Sequence, residues 1–305
     1  MIDGIPLVDA HIHVASRPAL KLTWQDWLGP FEGREAVTAL YDESGHAVPE
    51  LLDRYFEDQS ADVVLVLAEY SPLVTGTQAV EDVIPLMEHN PSRFRLVANL
   101  NPHVHHPIKR ELRRQLDLGA TAVKIHPVHG AFAANHRSLY PAYSLCEEQG
   151  VAVVIHFGTS VFAGGANAFI DPAHISDLIR DFPELTVVLA HGGRGWHYEA
   201  AAVLAQSFPN VWIEISGLPP RRLPDYFSRF DLDRLARKFI FGTDWPGVPG
   251  IRANAQAVTS LSLSRELLEG IFYRNAVEVY GLGRLESPER AAHSSTGSDP
   301  ASPTG

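Results

Sequence analysis

The sequence predicts an α/β fold, and within that class a single (β/α)8 TIM barrel. Three observations predict it: eight short runs rich in apolar and β-branched residues, an even spacing between them, and amphipathic stretches in the gaps. From the second run onward, the runs end about 25 to 35 residues apart, which is the length of one βα unit with its loops. The 305 residues also fit one barrel, which needs about 250.

Each run has the length of a strand, and most are continuously apolar rather than alternating. Continuous apolar runs are typical of parallel strands, because such strands are buried on both faces. In chain order the runs are IPLVDAHIHV (5–14), DVVLVLAE (62–69), FRLVANL (94–100), TAVKIHP (121–127), VAVVIHF (151–157), TVVLAH (186–191), NVWIEIS (210–216) and KFIFGTD (238–244).

Helical stretches alternate with these runs. The first clear one places its apolar residues on one side, and Gly119 follows it as a C-terminal residue. Asp171 and Pro172 supply an N-cap and a first-turn proline for another. The predicted helices are 107–118, 138–149, 173–181 and 263–280.

The barrel is predicted to occupy residues 1–285 as one domain. Its first βα connection, 15–61, is long and contains Trp24 and Trp27, which makes it a candidate lid or interface. Residues 286–305 lack apolar periodicity and are predicted to be a disordered tail. A doubly wound open sheet is the alternative architecture, but no glycine-rich dinucleotide turn follows the first run.

Composition excludes several classes of protein. With 25 Lys+Arg against 36 Asp+Glu the formal net charge is −11, which argues against binding nucleic acid. A single cysteine, Cys146, excludes an intramolecular disulfide and favours a reducing compartment. No run approaches the roughly 18 apolar residues that span a bilayer, and the first apolar stretch is too short for a signal peptide. We therefore expect a cytoplasmic protein that acts on or binds a small molecule.

Groups of metal-ligand type lie at the ends of the predicted strands. Side chains alternate along a strand, so His11 and His13 share a face that points to the barrel axis. Val8, Ala10 and Ile12 share the other face and are predicted to pack against helices. Catalytic groups of such barrels lie at the C-terminal ends of strands. The groups at these ends are His11, His13, Lys124, His126, His156, His191 and Asp244.

Taken singly, each histidine is better explained as a hydrogen-bonded core or surface residue. Several such groups at one end of one barrel instead predict a divalent metal site. Imidazoles with a carboxylate suit Zn²⁺ first, with Mn²⁺ or Fe²⁺ as alternatives, and leave room for a water whose pKa zinc lowers toward ~7. The predicted donors are His11, His13, His156, His191 and Asp244.

The chain resembles the amidohydrolase superfamily, and in particular its amidohydrolase-related branch, which includes aminocarboxymuconate-semialdehyde decarboxylase and various hydrolases. The resemblance rests on DAHIH, VKIHP, VIHFG, LAHGG, FGTDWP and RNAVEVYGL, and it spans residues 5 to about 283. It implies a catalytic metal bound by His11, His13, His156 and Asp244, with His191 beside the metal-bound water. Barrels of this family are often dimers, so a homodimer is also implied.

Lys124 separates two forms of the metal site. In binuclear members of the superfamily a lysine on the fourth strand is carbamylated and bridges two metals, and His191 then ligates the second metal. The mononuclear branch lacks such a bridge. A free ammonium on the barrel axis needs a partner, and a carbamate on metal would remove that requirement. The flanking motifs resemble the mononuclear branch, where Lys124 would contact an anionic substrate instead.

Further residues are predicted around the metal. Arg194, just past the sixth strand, can clamp a substrate carboxylate, or it ties loops together. Glu69 ends the second strand and can hydrogen-bond a ligand histidine, although a surface position is slightly favoured. Glu214 and Ser216 share one face of the seventh strand, which can point to the barrel axis. The histidines of the loop 103–106 are expected to face solvent or substrate, and Cys146 to be structural. The predicted substrate-binding set is Lys124, His126, Arg194, Trp196 and Trp245.

Three functions follow from this site. The first is metal-dependent hydrolysis of an amide, lactam or lactone, in which Asp244 accepts the proton of the metal-bound water and His191 stabilises the oxyanion. The second is metal-dependent, non-oxidative decarboxylation of an unsaturated or aromatic acid. The third is a metal-free barrel used for binding, but the complete ligand set argues against it, because crowded unused polar groups carry a desolvation cost.

Overall fold

The computed structural model describes residues 1–24, 34–248 and 250–283. Within these ranges eight parallel strands form the barrel sheet, and two short antiparallel strands form a separate hairpin. In chain order the strands are β1 (Val8–Ile12), β2 (Val63–Leu67), β3 (Glu69–Ser71), β4 (Gly76–Gln78), β5 (Phe94–Leu100), β6 (Ala120–Ile125), β7 (Ala152–Gly158), β8 (Val187–Arg194), β9 (Val211–Glu214) and β10 (Phe239–Ile240).

The barrel strands follow one another around the sheet in the order β1-β2-β5-β6-β7-β8-β9-β10. The last strand returns to the first. Ala10 N donates to Phe241 O at 3.0 Å, and His13 N donates to Trp245 O at 2.8 Å. The sheet therefore curls back on itself, which confirms the predicted TIM barrel and rules out the doubly wound alternative, where strand order reverses at the centre.

Helices cover the outside of the barrel as predicted. Asp171 caps one of them, since its Oδ1 accepts a hydrogen bond from Ala173 N at 2.8 Å. The predicted helix 263–280 is interrupted by a π-helical turn at Gly270–Arg274. Within the described residues no helix is long and apolar enough to cross a membrane. The helices are α1 (Arg34–Thr38), α2 (Pro49–Asp58), α3 (Ile84–His89), α4 (Ile108–Asp117), α5 (Pro127–Gly130), α6 (Tyr140–Gln149), α7 (Pro172–Asp181), α8 (Tyr198–Ser207), α9 (Leu223–Tyr226), α10 (Leu232–Ala236), α11 (Ile251–Thr259), α12 (Arg265–Glu269) and α13 (Asn275–Tyr280), with 3₁₀ turns at Arg17–Ala19, Val80–Asp82, Arg137–Leu139, Asn167–Ile170 and Pro220–Arg222.

Apolar side chains inside the barrel form one cluster, distinct from the larger one between strands and helices. Alternation puts Ala122 on the same face as Lys124, and Val154 on the same face as His156. Both polar side chains face the cavity at the C-terminal ends of the strands. The inner cluster is therefore the floor of that cavity, and helix α13 packs against it.

The first strand departs from the alternation that the sequence predicts. Val8 and Ala10 belong to the inner cluster, so the prediction that they face helices is wrong, whereas Ile12 does pack in the outer cluster. The pairing of β1 with β2 shifts register between Asp9 and Ile12. Strict alternation would put Ala10 and His11 on opposite faces. A shift of one residue exchanges the two faces of a strand, so His11 points inward like Val8 and Ala10.

The long first connection reaches the mouth of the barrel. Trp24 packs with Ala15 and Leu20 and lines the cavity there. Trp27 lies outside the described residues, and so does the tail predicted at 286–305. The hairpin β3–β4 was not predicted, and it places polar side chains at the same mouth.

Cys146 offers a probe of the fold. Its side chain is buried in α6, and burial raises the pKa of the thiol to about 12. Because the thiolate is the reactive form, we expect native protein at pH 8 to resist iodoacetamide, and alkylation to follow unfolding in urea. Mass spectrometry of the alkylated fraction checks this. Rapid alkylation without denaturant would contradict a structural role for this cysteine.

Candidate metal centre

A cavity of about 310 Å³ opens at the C-terminal ends of the strands, where TIM barrels hold their catalytic groups. It brings together residues from four barrel strands (β1, β6, β7 and β8), the hairpin β3–β4 and the loops that follow the strands. The polar lining consists of His11, His13, Glu69, Thr75, Gln78, Lys124, His126, His129, His156, Thr159, Ser160, His191, Arg194 and Asp244, and the rest is Trp24, Val161, Phe162 and Pro246.

Three of the predicted donors meet at the closure of the barrel. His11 Nε2 lies 3.2 Å from His13 Nε2. Asp244 Oδ1 lies 3.6 Å from His11 Nε2 and 3.5 Å from His13 Nε2. The backbone holds this arrangement, because Asp244 N donates to His11 O at 2.9 Å. Strand β1 and the segment after β10 thus deliver two imidazoles and a carboxylate to one point.

Hydrogen bonds on the far side of each ring decide which nitrogens are free. Glu214 Oε1 and Oε2 lie 2.8 and 2.9 Å from His11 Nδ1, and a carboxylate only accepts, so Nδ1 carries the proton. Burial lowers the pKa of His11, which leaves its Nε2 as a bare acceptor. Gln78 Oε1, 3.3 Å from His13 Nδ1, favours the same tautomer there. Bare nitrogens and a carboxylate oxygen that face one another repel unless a cation lies between them.

A second pair of imidazoles is arranged in the same way. Ser216 O accepts from His191 Nδ1 at 3.0 Å, and Gly158 O accepts from His156 Nε2 at 2.9 Å. The remaining nitrogens, His191 Nε2 and His156 Nδ1, lie 3.1 Å apart. Burial, followed by neighbouring positive charges, holds the pKa of both rings well below the ordinary value. Both rings are therefore neutral, and two more lone pairs face each other.

These donors fit a divalent metal. Ligand atoms of His11, His13 and Asp244 lie within 4.8 Å of one another, and so do those of His11, His191 and Glu214. Glu214 already bonds the far side of His11, so it orients a donor and is not one itself. The rings of His191 and His11 are 5.0 Å apart, and those of His156 and His191 are 4.5 Å apart. His191 therefore lies between His156 and the group formed by His11, His13 and Asp244.

Two of these donors have left-handed backbone conformations. His191 has φ 69° and Asp244 has φ 68°, which L residues other than glycine seldom adopt. Such a conformation costs on the order of 1–3 kcal/mol and is retained mainly at functional sites. His191 lies within β8 and Asp244 lies after β10, and both side chains line the cavity.

Arg194 lies against the carboxylate of Asp244. Its Nη1 is 3.6 Å from Asp244 Oδ2, and its Nη2 donates to Thr159 O at 3.2 Å. Burial would raise the pKa of Asp244, but hydrogen bonding and neighbouring positive charge, including that of Arg194, hold it well below its usual range. Asp244 is therefore ionised, and the guanidinium remains 28 % exposed at the cavity wall.

Lys124 is buried at the centre of the site. Its Nζ lies 3.4 Å from His11 Nε2. Burial lowers the pKa of this amine, and the charges of Glu214 and Asp244 oppose that shift. This position beside His11 fits both forms of Lys124 predicted from the sequence, the carbamate that bridges two metals and the free amine that contacts an anionic substrate.

A second polar cluster lines the cavity beside the metal donors, where the ring of His126 stacks on that of His156 with centroids 3.8 Å apart. Glu69 and His126 were singled out from the sequence, whereas His129 and Ser160 were missed. Glu69 is buried, contrary to the favoured surface position, because it lies on the hairpin strand β3. Pro127 begins α5 and brings His129 back beside His126, whose Nδ1 accepts from His129 N at 3.1 Å. The spacing of these two histidines around a proline was the available clue.

Comparison with known proteins decides the family. A family model described as Amidohydrolase matches residues 8–282 of this chain. The chain belongs to the amidohydrolase family. The resemblance drawn from the strand-end motifs is thereby confirmed.

Individual relatives of this amidohydrolase are distant. The 2-amino-3-carboxymuconate-6-semialdehyde decarboxylase of Dictyostelium discoideum is 23 % identical over an alignment of 236 residues, which covers 66 % of this chain and 65 % of that protein. The match thus spans just under two thirds of that relative's length.

Solved structures resemble the whole barrel. An uncharacterised TIM-barrel protein of Bordetella bronchiseptica matches with a TM-score of 0.72 and 22 % identity, over 92 % of this chain and 100 % of that one. A dihydroxybenzoic acid decarboxylase of Polaromonas sp. JS666, with bound manganese and the inhibitor 2-nitroresorcinol, matches with a TM-score of 0.67 and 17 % identity, over 93 % and 99 %. At these identities the likeness establishes the fold alone.

Two predicted pocket residues lie away from the cavity of this amidohydrolase. Trp196 is 62 % exposed and is not part of the lining. Trp245 is buried in the core, where its Nε1 donates to the Tyr55 hydroxyl at 3.0 Å and its ring packs on Phe56. Neither indole lines the cavity. In the loop after β5, His105 is buried rather than solvent-facing.

Gly217 tests how tightly the centre is packed. Its φ is +63°, and an added Cβ would overlap Arg194 Nη1 and lie 3.0 Å from Asp244 Oδ2. We expect Gly217→Ala to weaken metal binding about tenfold or more, because it displaces groups around the donors. A metal titration of the purified variant measures this.

Gly150 provides the matched control. Its φ is +67°, and an added Cβ would meet nothing within 4 Å. Both alanine variants are expected to lose about 1 kcal/mol of stability through backbone strain. Only Gly217→Ala should lose metal affinity, and equal affinity in the two variants would show that the centre tolerates crowding.

Proposed function

We propose that this member of the amidohydrolase family is a metal-dependent decarboxylase that releases CO₂ from an unsaturated or aromatic carboxylic acid without net oxidation. The observation that carries the proposal is Arg194, a partly exposed guanidinium held against Asp244 at the edge of the metal donor set. A guanidinium binds a carboxylate with two parallel hydrogen bonds, so it can hold an acid over the centre. Two of the relatives described above, from Dictyostelium and Polaromonas, are named decarboxylases.

The proposed metal ligands are His11, His13, His156 and Asp244, with His191 beside them. A divalent ion bound there acts as a Lewis acid toward oxygen atoms of the substrate. Mn²⁺ is a candidate beside Zn²⁺, because the Polaromonas decarboxylase was solved with manganese. Both ions accept imidazole and carboxylate ligands.

Asp244 is proposed to move the proton that the reaction requires. Decarboxylation replaces a C–COO⁻ bond by a C–H bond, so one proton must reach the carbon that keeps the electron pair. Asp244 is ionised next to Arg194, and it can take a proton from the acidic substrate and return it to that carbon. When a substrate carboxylate pairs with Arg194, less positive charge acts on Asp244 and its proton affinity rises.

His191 is proposed to bind the substrate rather than to exchange protons. Its Nδ1 proton is held by Ser216 O at 3.0 Å, and its pKa is well below the ordinary value. A neutral, fixed ring can orient an oxygen or a metal but is a weak acid. Lys124 is proposed as a second basic group of the cavity, besides Arg194, that stabilises a negatively charged substrate.

Hydrolysis, the first hypothesis from the sequence, has support at the level of the superfamily. One feature of the site favours it as the second candidate. Asp244 is ionised beside the metal donors, so a free oxygen of its carboxylate can accept a proton from water. The two reactions require the same metal donors but give different products, so product analysis separates them.

The test combines metal analysis with two substrate panels. Protein purified without chelators is analysed for metal per chain and then incubated with dihydroxybenzoates and unsaturated dicarboxylic acids, or with lactones and amides. We expect CO₂ in equal amount to the acid consumed, loss of activity with a chelator, and recovery with Mn²⁺ or Zn²⁺. Near one metal per chain supports the mononuclear centre, and near two supports a carbamate on Lys124. Hydrolysis of the second panel without CO₂ from the first would overturn the proposal.

A further inference from the structure

Three polar side chains in the cavity wall form a chain of hydrogen bonds that the metal centre does not use. Ser160 Oγ lies 2.8 Å from His129 Nε2, and Glu69 Oε1 lies 2.7 Å from His129 Nδ1. Glu69 and His129 are each 5 % exposed, and all three residues line the cavity. A hydroxyl, an imidazole and a carboxylate in this order, within 2.6–3.2 Å of one another, have the arrangement of an activated nucleophile.

The direction of each hydrogen bond follows from the carboxylate. Glu69 Oε1 accepts from the Thr75 hydroxyl at 2.7 Å, which fixes its position. The same oxygen accepts the Nδ1 proton of His129. In the neutral ring, Nε2 is then an acceptor, and the Ser160 hydroxyl donates to it. His129 is thus oriented to remove the proton of Ser160.

The backbone of Ser160 is fixed by its neighbours. Ser160 N donates to Asn167 Oδ1 at 2.8 Å, and Asn167 Nδ2 donates to Ser160 O at 3.1 Å. Phe162 N donates to Ser160 Oγ at 3.2 Å, which stabilises negative charge on that oxygen. Arg194 Nη2 donates to the carbonyl of Thr159, the preceding residue, at 3.2 Å, which fixes the backbone on that side of Ser160.

A metal site is the other interpretation of this cluster, since ligand atoms of Glu69, His126 and His129 lie within 4.8 Å of one another. The ring geometry opposes it. His126 and His129 are stacked, with centroids 3.6 Å apart and planes 11° from parallel. A metal lies in the plane of each imidazole that binds it, and two parallel stacked planes share no such point. Both nitrogens of His129 are also already used in hydrogen bonds.

We propose that Ser160 is a nucleophile that accepts an acyl group from small activated esters, with His129 as its base and Glu69 positioning the base. The Ser160 Oγ–acyl bond forms and the ester C–O bond breaks. The serine proton passes to His129 Nε2 and then to the leaving oxygen. Water, deprotonated by the same ring, releases the acid and restores Ser160. The reaction needs no metal and is separate from the decarboxylation proposed above.

The test uses a covalent probe, because labelling does not depend on the metal centre. Metal-loaded full-length protein is treated with diisopropyl fluorophosphate, in which a Ser160 Oγ–P bond replaces the P–F bond and fluoride leaves. Peptide mass spectrometry is expected to find one label per chain, at Ser160. With p-nitrophenyl acetate, a burst of about one p-nitrophenol per chain is expected, and it should persist after chelation.

Variants assign the roles. Ser160→Ala should lose the label, and Ser176→Ala, on the exposed face of α7, should keep it. His129→Gln should slow labelling about 100-fold or more, because the general base is removed. Equal labelling rates in His129→Gln and the parent protein would overturn the proposal. The absence of a label at Ser160 in the parent protein would also overturn the proposal, and this test does not depend on whether any variant folds. A second bound metal that is lost in His129→Gln would establish the metal interpretation instead.

Discussion

Asp244→Asn is expected to lower the turnover number by at least about 10³-fold while the barrel stays folded. The carboxylate has three tasks, since it faces His11 and His13, pairs with Arg194, and is proposed to carry a proton. An amide keeps the shape of the side chain but carries no charge and binds no mobile proton at neutral pH. Asparagine also tolerates the left-handed backbone at this position, so the substitution adds no strain.

CO₂ release, metal content and melting temperature are measured together for this variant. Asp233→Asn, an exposed change on α10, is the matched control and should match the parent protein in all three. Loss of turnover with metal still bound would assign Asp244 mainly to proton transfer. Loss of both would assign it mainly to metal binding. A variant with at least a tenth of the parent turnover would remove Asp244 from the mechanism.

Glu214→Gln is expected to weaken metal binding about 10- to 100-fold. Glu214 is fully buried, and both of its oxygens contact His11 Nδ1. The carboxylate fixes the tautomer of His11 and increases the electron density at Nε2. A glutamine can accept the Nδ1 proton of His11 with its oxygen but carries no charge. Its NH₂ group then either faces that proton, donor against donor, or is buried without a partner.

Competition of the protein with a fluorescent zinc chelator measures this affinity. Glu43→Gln, in an exposed turn, serves as the control because it changes the net charge equally. If Glu214→Gln binds metal as tightly as Glu43→Gln, then His11 is either oriented by other contacts, such as the Ser216 hydroxyl at 3.2 Å, or does not bind metal.

Much of this molecule could be predicted from local sequence. Strand β7 is an apolar run that carries His156 near its end, and strand β6 is one that carries Lys124 next to its last residue, just before His126. Runs of this kind predict strands because burial on both faces leaves few polar positions, and the polar positions that remain at strand ends mark the site. Helix starts were equally local, as with Asp171, because a cap bonds its own first turn.

Contacts between distant segments could not be predicted in this way. Glu214 meets His11 across 203 positions of the chain, and Ser160 meets His129 only after α5 folds back. Trp245 enters the core rather than the cavity because Tyr55 and Phe56, from the first connection, pack on its ring. Each of these pairings depends on how three or more elements pack together. The sequence of a single strand does not indicate which distant segments pack against it.

The sequence by itself determined the barrel, the identity of its strand-end donors and the family to which they belong. Tertiary structure decided their chemical states. His11 and His191 are neutral because burial lowers the pKa of both rings. Their free nitrogens are known because Glu214 and Ser216 accept the protons on Nδ1. Tertiary structure also turned His11 inward through the register shift in β1. Alternation and apolar content are properties of adjacent residues, whereas protonation and orientation depend on partners that only folding brings within 3 Å.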